Sequence, residues 1–408
     1  MRAAVLAGHG REALTVRRVA VPEPGPGELL CRVDAAGICT SVNKLIDQGA
    51  EHPLMHGWDP ELHPVIVGDE GTVTVVAAGE DLAARYPPGE RFAVQPAVDL
   101  EPIRHLERYR DGARGVAKIA VGYTLPGLLA EYVLIGPEVL AAGCLLALPG
   151  DLPPAHAAIA EPISCVISSH AHHLHISQPD AGAQRQATSG LRPGGVVVIL
   201  GAGPMGGMHV DVAVAAGPRA IVVSTRREER LRWVRETFEA RAAEAGIRLE
   251  TVTAGDDGLA AVVDQLTEGR GADDVIVTVA DRTVVESAQR LLARFGVLDL
   301  FAGLPPGQEL LALDGRLVHY REVNVTGSSG GGPWDVAEAL RLMTAGRIDA
   351  GAHIAHVGDL EHAPQLFDMA REGRVRGKAV VYPHRRAREV LTVSRWDAAD
   401  EAAYLSGN

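Results

Sequence analysis

The run Gly201-Ala-Gly-Pro-Met-Gly206 follows the apolar stretch Val196-Val-Val-Ile-Leu200 and leads into Gly-Met-His-Val-Asp-Val-Ala-Val. That order predicts a strand, a tight turn and a helix start. Gly201 permits the sharp turn, Gly203 lets the backbone approach a pyrophosphate, and Gly206 lets helix and strand pack closely. The unpaired N–H groups at the helix start then face phosphates, so Gly201, Gly203, Pro204, Met205 and Gly206 make a predicted dinucleotide-binding turn. The next strand ends Val222-Val-Ser224-Thr225-Arg226-Arg227. About 20 residues past the glycine turn, NAD-selective sites place an acid on the adenosine ribose. An acid within ~4 Å of a 2′-phosphate would cost roughly 4 kcal/mol at an effective dielectric of about 20. Here that position is Thr225, and guanidinium groups, which grip phosphate as a fork, come next. Ser224, Thr225, Arg226 and Arg227 therefore predict NADP(H) in preference to NAD(H). The plainer alternative is that the two arginines open the following helix as solvated residues.

The elements around this turn change character along the chain. Before it, short β-like runs at 28–33, 65–67, 72–76 and 91–95 are separated by Gly/Pro clusters such as Pro22-Glu-Pro-Gly-Pro-Gly27. That pattern predicts a small barrel or sandwich. The charged stretch 99–118, with Arg104, Arg108 and Arg110, reads as a solvated lobe, with phosphate contact as the alternative. From 196 onward, strands at 196–200, 219–224, 249–253, 274–279, 296–302 and 322–327 alternate with helices at 205–216, 227–245, 257–267 and 282–294. Six such strands predict a doubly wound parallel sheet. A further helix, 335–346, carries Val336, Leu340 and Met343 at core spacing, and Lys378-Ala-Val-Val-Tyr382 reads as a strand outside the nucleotide sheet. The tail 384–408 has no legible role. The predicted division is 1–165, completed by 330–408, and 166–329.

Composition narrows the partners. The chain has 408 residues, is 47% hydrophobic and carries a formal net charge of −13. That charge argues against nucleic acid or an anionic membrane as partner. Cys31, Cys39, Cys144 and Cys165 show no paired spacing, which fits reducing cytoplasm. The start has too short an apolar run for a signal peptide. The apolar run 196–217 contains His209, Asp211 and several glycines, which suit the nucleotide turn better than a membrane span. His170, His172, His173 and His175 form a histidine-rich stretch in which His170 and His173 could face together on a helix and bind metal. The plainer reading is a surface or linker cluster.

Three further motifs, in order, carry a family resemblance. They are Gly37-Ile-Cys39-Thr-Ser41, Gly68-Asp69-Glu70 followed by a valine-rich strand, and Glu161-Pro-Ile-Ser-Cys165 just ahead of the nucleotide turn. With that turn they resemble the medium-chain, zinc-type alcohol/polyol dehydrogenase superfamily over nearly the whole chain. Within it, Asp47-Gln-Gly-Ala-Glu-His52, Glu161-Pro-Ile-Ser-Cys-Val, Phe301-Ala-Gly and Gly327-Ser-Ser-Gly-Gly look most like L-sorbose-1-phosphate reductase-type dehydrogenases. The resemblance implies an α/β chain with a GroES-like β-barrel catalytic domain and a Rossmann domain. It also implies a homo-oligomer, dimer or tetramer, joined through the nucleotide sheet edge.

The same resemblance implies a catalytic zinc held by Cys39, Asp69, Glu70 and Glu161. Such an ion polarises a carbonyl or stabilises an alkoxide that gives up hydride. The departure is Asp69, where imidazole is usual: a shorter and negatively charged ligand weakens the ion as a Lewis acid. The family's four-cysteine structural zinc lobe is absent, since no cysteine lies between Cys39 and Cys144. Ser41 stands where the family has its proton-relay hydroxyl, and Lys44 where a histidine or lysine continues the relay. The implied substrate is a small secondary alcohol or ketone: a polyol, sugar, sugar phosphate or cyclitol. Two alternatives stay open: a metal-free reductase of the same superfamily, and a non-catalytic dinucleotide-binding sensor.

Overall fold

The computed structural model describes residues 1–99, 103–178, 180–255 and 258–407. They fall into two compact units: Met1–Ser164 together with the chain from Gly331 onward, and Cys165–Gly330.

The first unit is built on an eight-stranded sheet. Its central strand, Leu29–Gly37, buries alternate side chains along its first half and every one at its end. It pairs antiparallel with Glu70–Ala78, Tyr132–Ile135 and Lys378–Tyr382. Beyond these lie Arg91–Val94 and Leu145–Ala147 on one side, and Ile354–Asp359 and Leu391–Thr392 on the other. Ile354–Asp359 runs parallel to Lys378–Tyr382, whereas a second sheet, Leu14–Arg18, Arg2–Leu6 and Val65–Ile66, is antiparallel throughout. One apolar core takes residues from both sheets and from the helices Thr40–Gln48 and Ala363–Arg371. The stretch around 104–113 is less solvated than its charge suggests. Tyr109 is buried against Trp58, and Arg104 spans Glu28 and the fully buried Glu138. Arg104 is thereby committed to carboxylates of its own chain; residues 100–102 lie outside the described ones.

The second unit is a six-stranded parallel sheet in the order Arg248–Thr253, Ala220–Thr225, Val196–Leu200, Ala272–Val277, Leu292–Leu300 and Asn324–Thr326. Val196–Leu200 and Ala272–Val277 are buried at every position, because helices cover both faces of such a sheet and leave no wet side. The order places the first strand beside the fourth, the topological switch at which dinucleotides bind. One predicted helix is shorter than its pattern. The segment read as helical over 282–294 is α-helical over Arg282–Ala288, continues as a 3-10 turn over Gln289–Leu291, and gives way to a strand at Leu292. Leu291, Leu292 and Ala293 continue an apolar pattern that suits either state, and pairing with Ala272–Val277 decides it.

The histidine-rich stretch is neither a surface nor a linker cluster. The helix Ala160–Ala171 ends before His173, and His170, His173 and His175 are buried while His172 is exposed. Among the described residues no helix is long and apolar enough to cross a membrane.

The tail closes the core of the first unit. Trp396 is 4% exposed, and its indole N–H donates to the Tyr382 hydroxyl at 2.8 Å. Tyr382 donates to Glu401 on the helix Ala398–Ser406 at 2.6 Å, and Glu401 also accepts the Ala155 N–H at 2.8 Å. Trp396→Ala should therefore lower unfolding free energy by about 3–5 kcal/mol, the cost of emptying a large aromatic site. A urea melt shifted by no more than about 0.5 kcal/mol, as for a surface change, would contradict this role.

Candidate active site

The chemistry-bearing residues of the first unit gather where its central strand ends. The strand stops at Gly37, and Cys39 is the residue before the helix Thr40–Gln48. Val42, Leu45 and Ile46 bury one face of that helix, and the buried Asn43 amide donates to the Phe367 carbonyl at 3.1 Å. This fixes Ser41 one helical position past the turn. Glu70 opens the neighbouring strand and is paired in register with Gly37. Only glycine fits at 37: a Cβ there would stand 2.2 Å from Glu70 Oε2.

Ser41 is the hub of the polar contacts. Its hydroxyl donates to Asp69 Oδ2 at 3.0 Å and accepts from the Tyr123 hydroxyl at 2.9 Å. Cys39 Sγ lies 2.9 Å from the same oxygen. With its one proton given to Asp69, Ser41 receives that of the Cys39 thiol. Tyr123 stacks on His52 with ring centroids 5.2 Å apart. Burial pushes His52 down to about 4, with the Lys44 charge adding to the effect, so its ring is neutral at pH 7. Lys44 itself is exposed on the outer side of its helix.

Glu70 is held by a buried cation. Lys378, on the closing strand Lys378–Tyr382, places Nζ 2.5 Å from Glu70 Oε1; both side chains are almost fully buried. Burial opposes the Lys378 charge, but the Glu70 carboxylate and the field of Cys39 outweigh it and raise its pKa. Burial and the Glu70 charge push Asp69 up to about 6. Burial, then Asp69 and Glu70, raise the Cys39 thiol well above its usual range. Glu161 sits in the first turn of Ala160–Ala171 and is buried. Its charge is felt by Cys39, Tyr123 and Lys378.

This set fits a divalent ion. The ligand atoms of Cys39, Asp69 and Glu70 lie within 4.8 Å of one another. Among the described residues, buried Asp69 Oδ1 and Glu70 Oε2 have no hydrogen-bond partner. A thiol and a carboxyl both driven toward their neutral forms indicate a site short of positive charge. Glu161 lies outside the 4.8 Å group.

In the second unit the glycine turn has the shape its sequence demands. Gly201 adopts φ +119°, and a Cβ on Gly206 would stand 2.1 Å from the Gly201 carbonyl oxygen. Pro204 and Met205 begin the helix Pro204–Ala216, with Gly203 as its cap. A cavity of about 650 Å³ is lined by Gly201, Ser224, Thr225, Arg226, Arg227 and Arg230, among others. Arg226 and Arg227 are exposed; Ser224 is buried. Arg230 is half-buried, and a Cβ on Gly203 would come 3.3 Å from its guanidinium. Burial and the neighbouring Arg227 charge lower its pKa.

Sequence reasoning missed Tyr123, Lys378 and Arg230. The last was within reach, since it lies in the first turn of the helix that opens directly after Arg226 and Arg227. Lys378 is 308 residues from Glu70, and nothing local marks it.

Comparison with known proteins agrees with this architecture. Residues 25–143 match the alcohol dehydrogenase GroES-like domain family, and residues 204–345 match the zinc-binding dehydrogenase family. The chain is 31% identical over 382 residues to mannitol-1-phosphate 5-dehydrogenase of Aliivibrio fischeri, covering 92% of this chain and 85% of that one. It is 29% identical over 380 residues to L-sorbose 1-phosphate reductase of Klebsiella pneumoniae, covering 92% and 86%. Among solved structures, one from Sinorhizobium meliloti 1021, assigned as a zinc-binding dehydrogenase and bound to NADP, superposes with a TM-score of 0.71 at 27% identity. The match covers 94% of this chain and 99% of that one. With a glycine turn on a parallel sheet, a Cys/Asp/Glu cluster on an antiparallel one and these relatives along its length, the chain belongs to the medium-chain, zinc-type alcohol and polyol dehydrogenases, a superfamily of NAD(P)-dependent oxidoreductases.

Proposed function

We propose that this protein is an NADP(H)-dependent dehydrogenase/reductase interconverting a secondary alcohol and a ketone on a polyol, sugar, sugar phosphate or cyclitol. The observation that carries the reading is the Ser41 hydroxyl, tied at once to Cys39, Asp69 and Tyr123. The names of two relatives, a mannitol-1-phosphate dehydrogenase and an L-sorbose 1-phosphate reductase, support phosphorylated sugars and polyols as the first class to try. We take Cys39, Asp69, Glu70 and Glu161 as the residues that would hold zinc, with no second, structural zinc lobe. When bound, zinc supplies a Lewis acid that polarises the reacting oxygen. Ser41 is the group that exchanges a proton with that oxygen, Tyr123 supports its hydroxyl from behind, and Lys44 extends the path toward solvent. Lys378 holds Glu70 in place and offsets part of the negative charge that Asp69 brings. The proposed setting is cytoplasmic, in a homo-oligomer.

A metal-free reductase is the second reading, favoured by the ammonium of Lys378 already seated on Glu70. Zinc analysis separates the two. On the first reading Cys39→Ala loses one tightly held Zn²⁺ per chain, and chelator abolishes turnover of sugar phosphates or polyols. Full activity in chelator, with no metal lost on mutation, would establish the second.

NADP(H) preference rests on the absence of an acid at Thr225 and on Arg226, Arg227 and Arg230 around the cavity. Each charge-assisted contact to a 2′-phosphate is worth about 1.5–3 kcal/mol. NADPH should therefore bind at least roughly tenfold tighter than NADH, and Arg226→Ala or Arg230→Ala should weaken NADPH alone. Equal dissociation constants for the two cofactors in the unmutated protein would refute this.

The Ser41 assignment predicts that Ser41→Ala lowers kcat by roughly 10²–10⁴-fold, the range of general acid–base groups. NADPH affinity should hold, because the cofactor turn belongs to the other unit. Unchanged kcat, or loss of NADPH binding, would show that the residue has a different role.

A further inference from the structure

Inside the nucleotide-binding unit, three side chains converge away from the glycine turn. In the strand Leu174–Ser177, His175 faces inward and Leu174 outward, and His173, just before the strand, shares the inner side. Asp274 belongs to Ala272–Val277, a strand buried throughout. His173 Nδ1 lies 2.6 Å and His175 Nε2 lies 2.9 Å from the same oxygen, Asp274 Oδ1. The three ligand atoms lie within 4.8 Å of one another.

The groups behind these atoms orient them. His173 presents its other ring nitrogen, Nε2, to Asp299 Oδ2 at 3.2 Å, and the Ser169 hydroxyl donates to that same oxygen. Asp274 accepts the Arg192 N–H on its remaining oxygen at 3.1 Å. Metal-binding imidazoles are oriented in this way, with the second nitrogen on a carboxylate and the carboxylate ligand itself hydrogen-bonded.

His175 leaves the choice of tautomer open. Its Nδ1 is buried with no partner among the described residues. If Nε2 carries the proton, Nδ1 is a buried acceptor left unsatisfied. If Nδ1 carries it, Nε2 is free to bind an ion shared with Asp274 Oδ1, which stands 2.9 Å away. Two carboxylates, Asp274 and Asp299, balance one divalent ion.

We propose that His173 Nδ1, His175 Nε2 and Asp274 Oδ1 form a metal site for a divalent transition ion, separate from the Cys39 cluster, with Asp299 and Ser169 orienting His173. Two imidazoles and one carboxylate are a ligand set that zinc takes with one water. Ligand bonds of about 2.0–2.1 Å in a tetrahedron need donor atoms about 3.3 Å apart, so the two rings open by about half an ångström on binding. The ion would pin the hairpin strand Leu174–Ser177 to the parallel sheet.

The test uses the metal-free full chain, titrated with Zn²⁺ and with Co²⁺. Cys39→Ala should still take up one equivalent, and its cobalt form should show d–d absorbance without a thiolate charge-transfer band. Adding His175→Gln should remove that equivalent, and Asp299→Asn should weaken it about 10–100-fold. No metal uptake by Cys39→Ala, or uptake unaffected by His175→Gln, would overturn the proposal. If His175→Gln fails to fold, the cobalt spectrum of Cys39→Ala decides alone, and absence of d–d bands is the negative result. A protein with one equivalent that is lost with His175→Gln but kept in Cys39→Ala would uphold this site while ending the zinc reading of the Cys39 cluster.

Discussion

The ion pair between Lys378 and Glu70 is the contact on which the first unit depends. It joins residues 308 positions apart at 2.5 Å, both of them buried. The pair lies where the strand from the far end of the chain meets the central strand: Val380 is in register with Gly37, and Glu70 pairs with Gly37 from the other side. Burying two charges is expensive, and their attraction repays the cost only with good geometry. A hydrophobic pair would have served stability as well. What the charges add is definition, since removing either one strands the other in the core.

That constraint propagates to the site. Asp69 brings a negative charge where the family ordinarily has a neutral ring, beside Glu70. Lys378 is the cation that the structure sets against this excess, and the offset is partial. The remaining imbalance shows in Asp69, pushed up to about 6 by burial and by Glu70, and in the raised thiol of Cys39. Both shifts run in the direction that a bound cation would reverse. On the proposed reading, the same residues carry excess negative charge when alone, and a divalent ion would offset it.

The nucleotide-binding half was legible because its signals are local. A glycine turn, its flanking strand and helix, and the alternation that follows all lie within contiguous sequence, and a Cβ on Gly206 would strike the Gly201 carbonyl oxygen. Cys39, Asp69 and Glu161 were found only as ordered motifs of a known family; their types alone would suit a barrel core. Tyr123 and Lys378 could not be found this way, because Tyr123 lies in a turn and strand pairing between distant segments brings in Lys378. The histidine stretch misled for a related reason. Four histidines in six residues suggest a wet surface, but Asp274 and Asp299, a hundred residues on, supply the partners that make burial tolerable.

Substitution of aspartate for imidazole also changes what Ser41 can do. A metal-bound imidazole has no acceptor to offer a neighbouring hydroxyl, whereas Asp69 Oδ2 takes the Ser41 proton at 3.0 Å. The Ser41 hydrogen is thereby oriented toward Asp69, and the Tyr123 hydroxyl and the Cys39 thiol fill its two acceptor positions. To serve a reacting oxygen, Ser41 must turn from one acceptor to another. The cost of that turn falls as Asp69 loses its charge, either to a proton or to a cation. On the proposed reading, Asp69 sets both the charge available to a metal and the readiness of the Ser41 hydroxyl, and both respond to the same neutralisation.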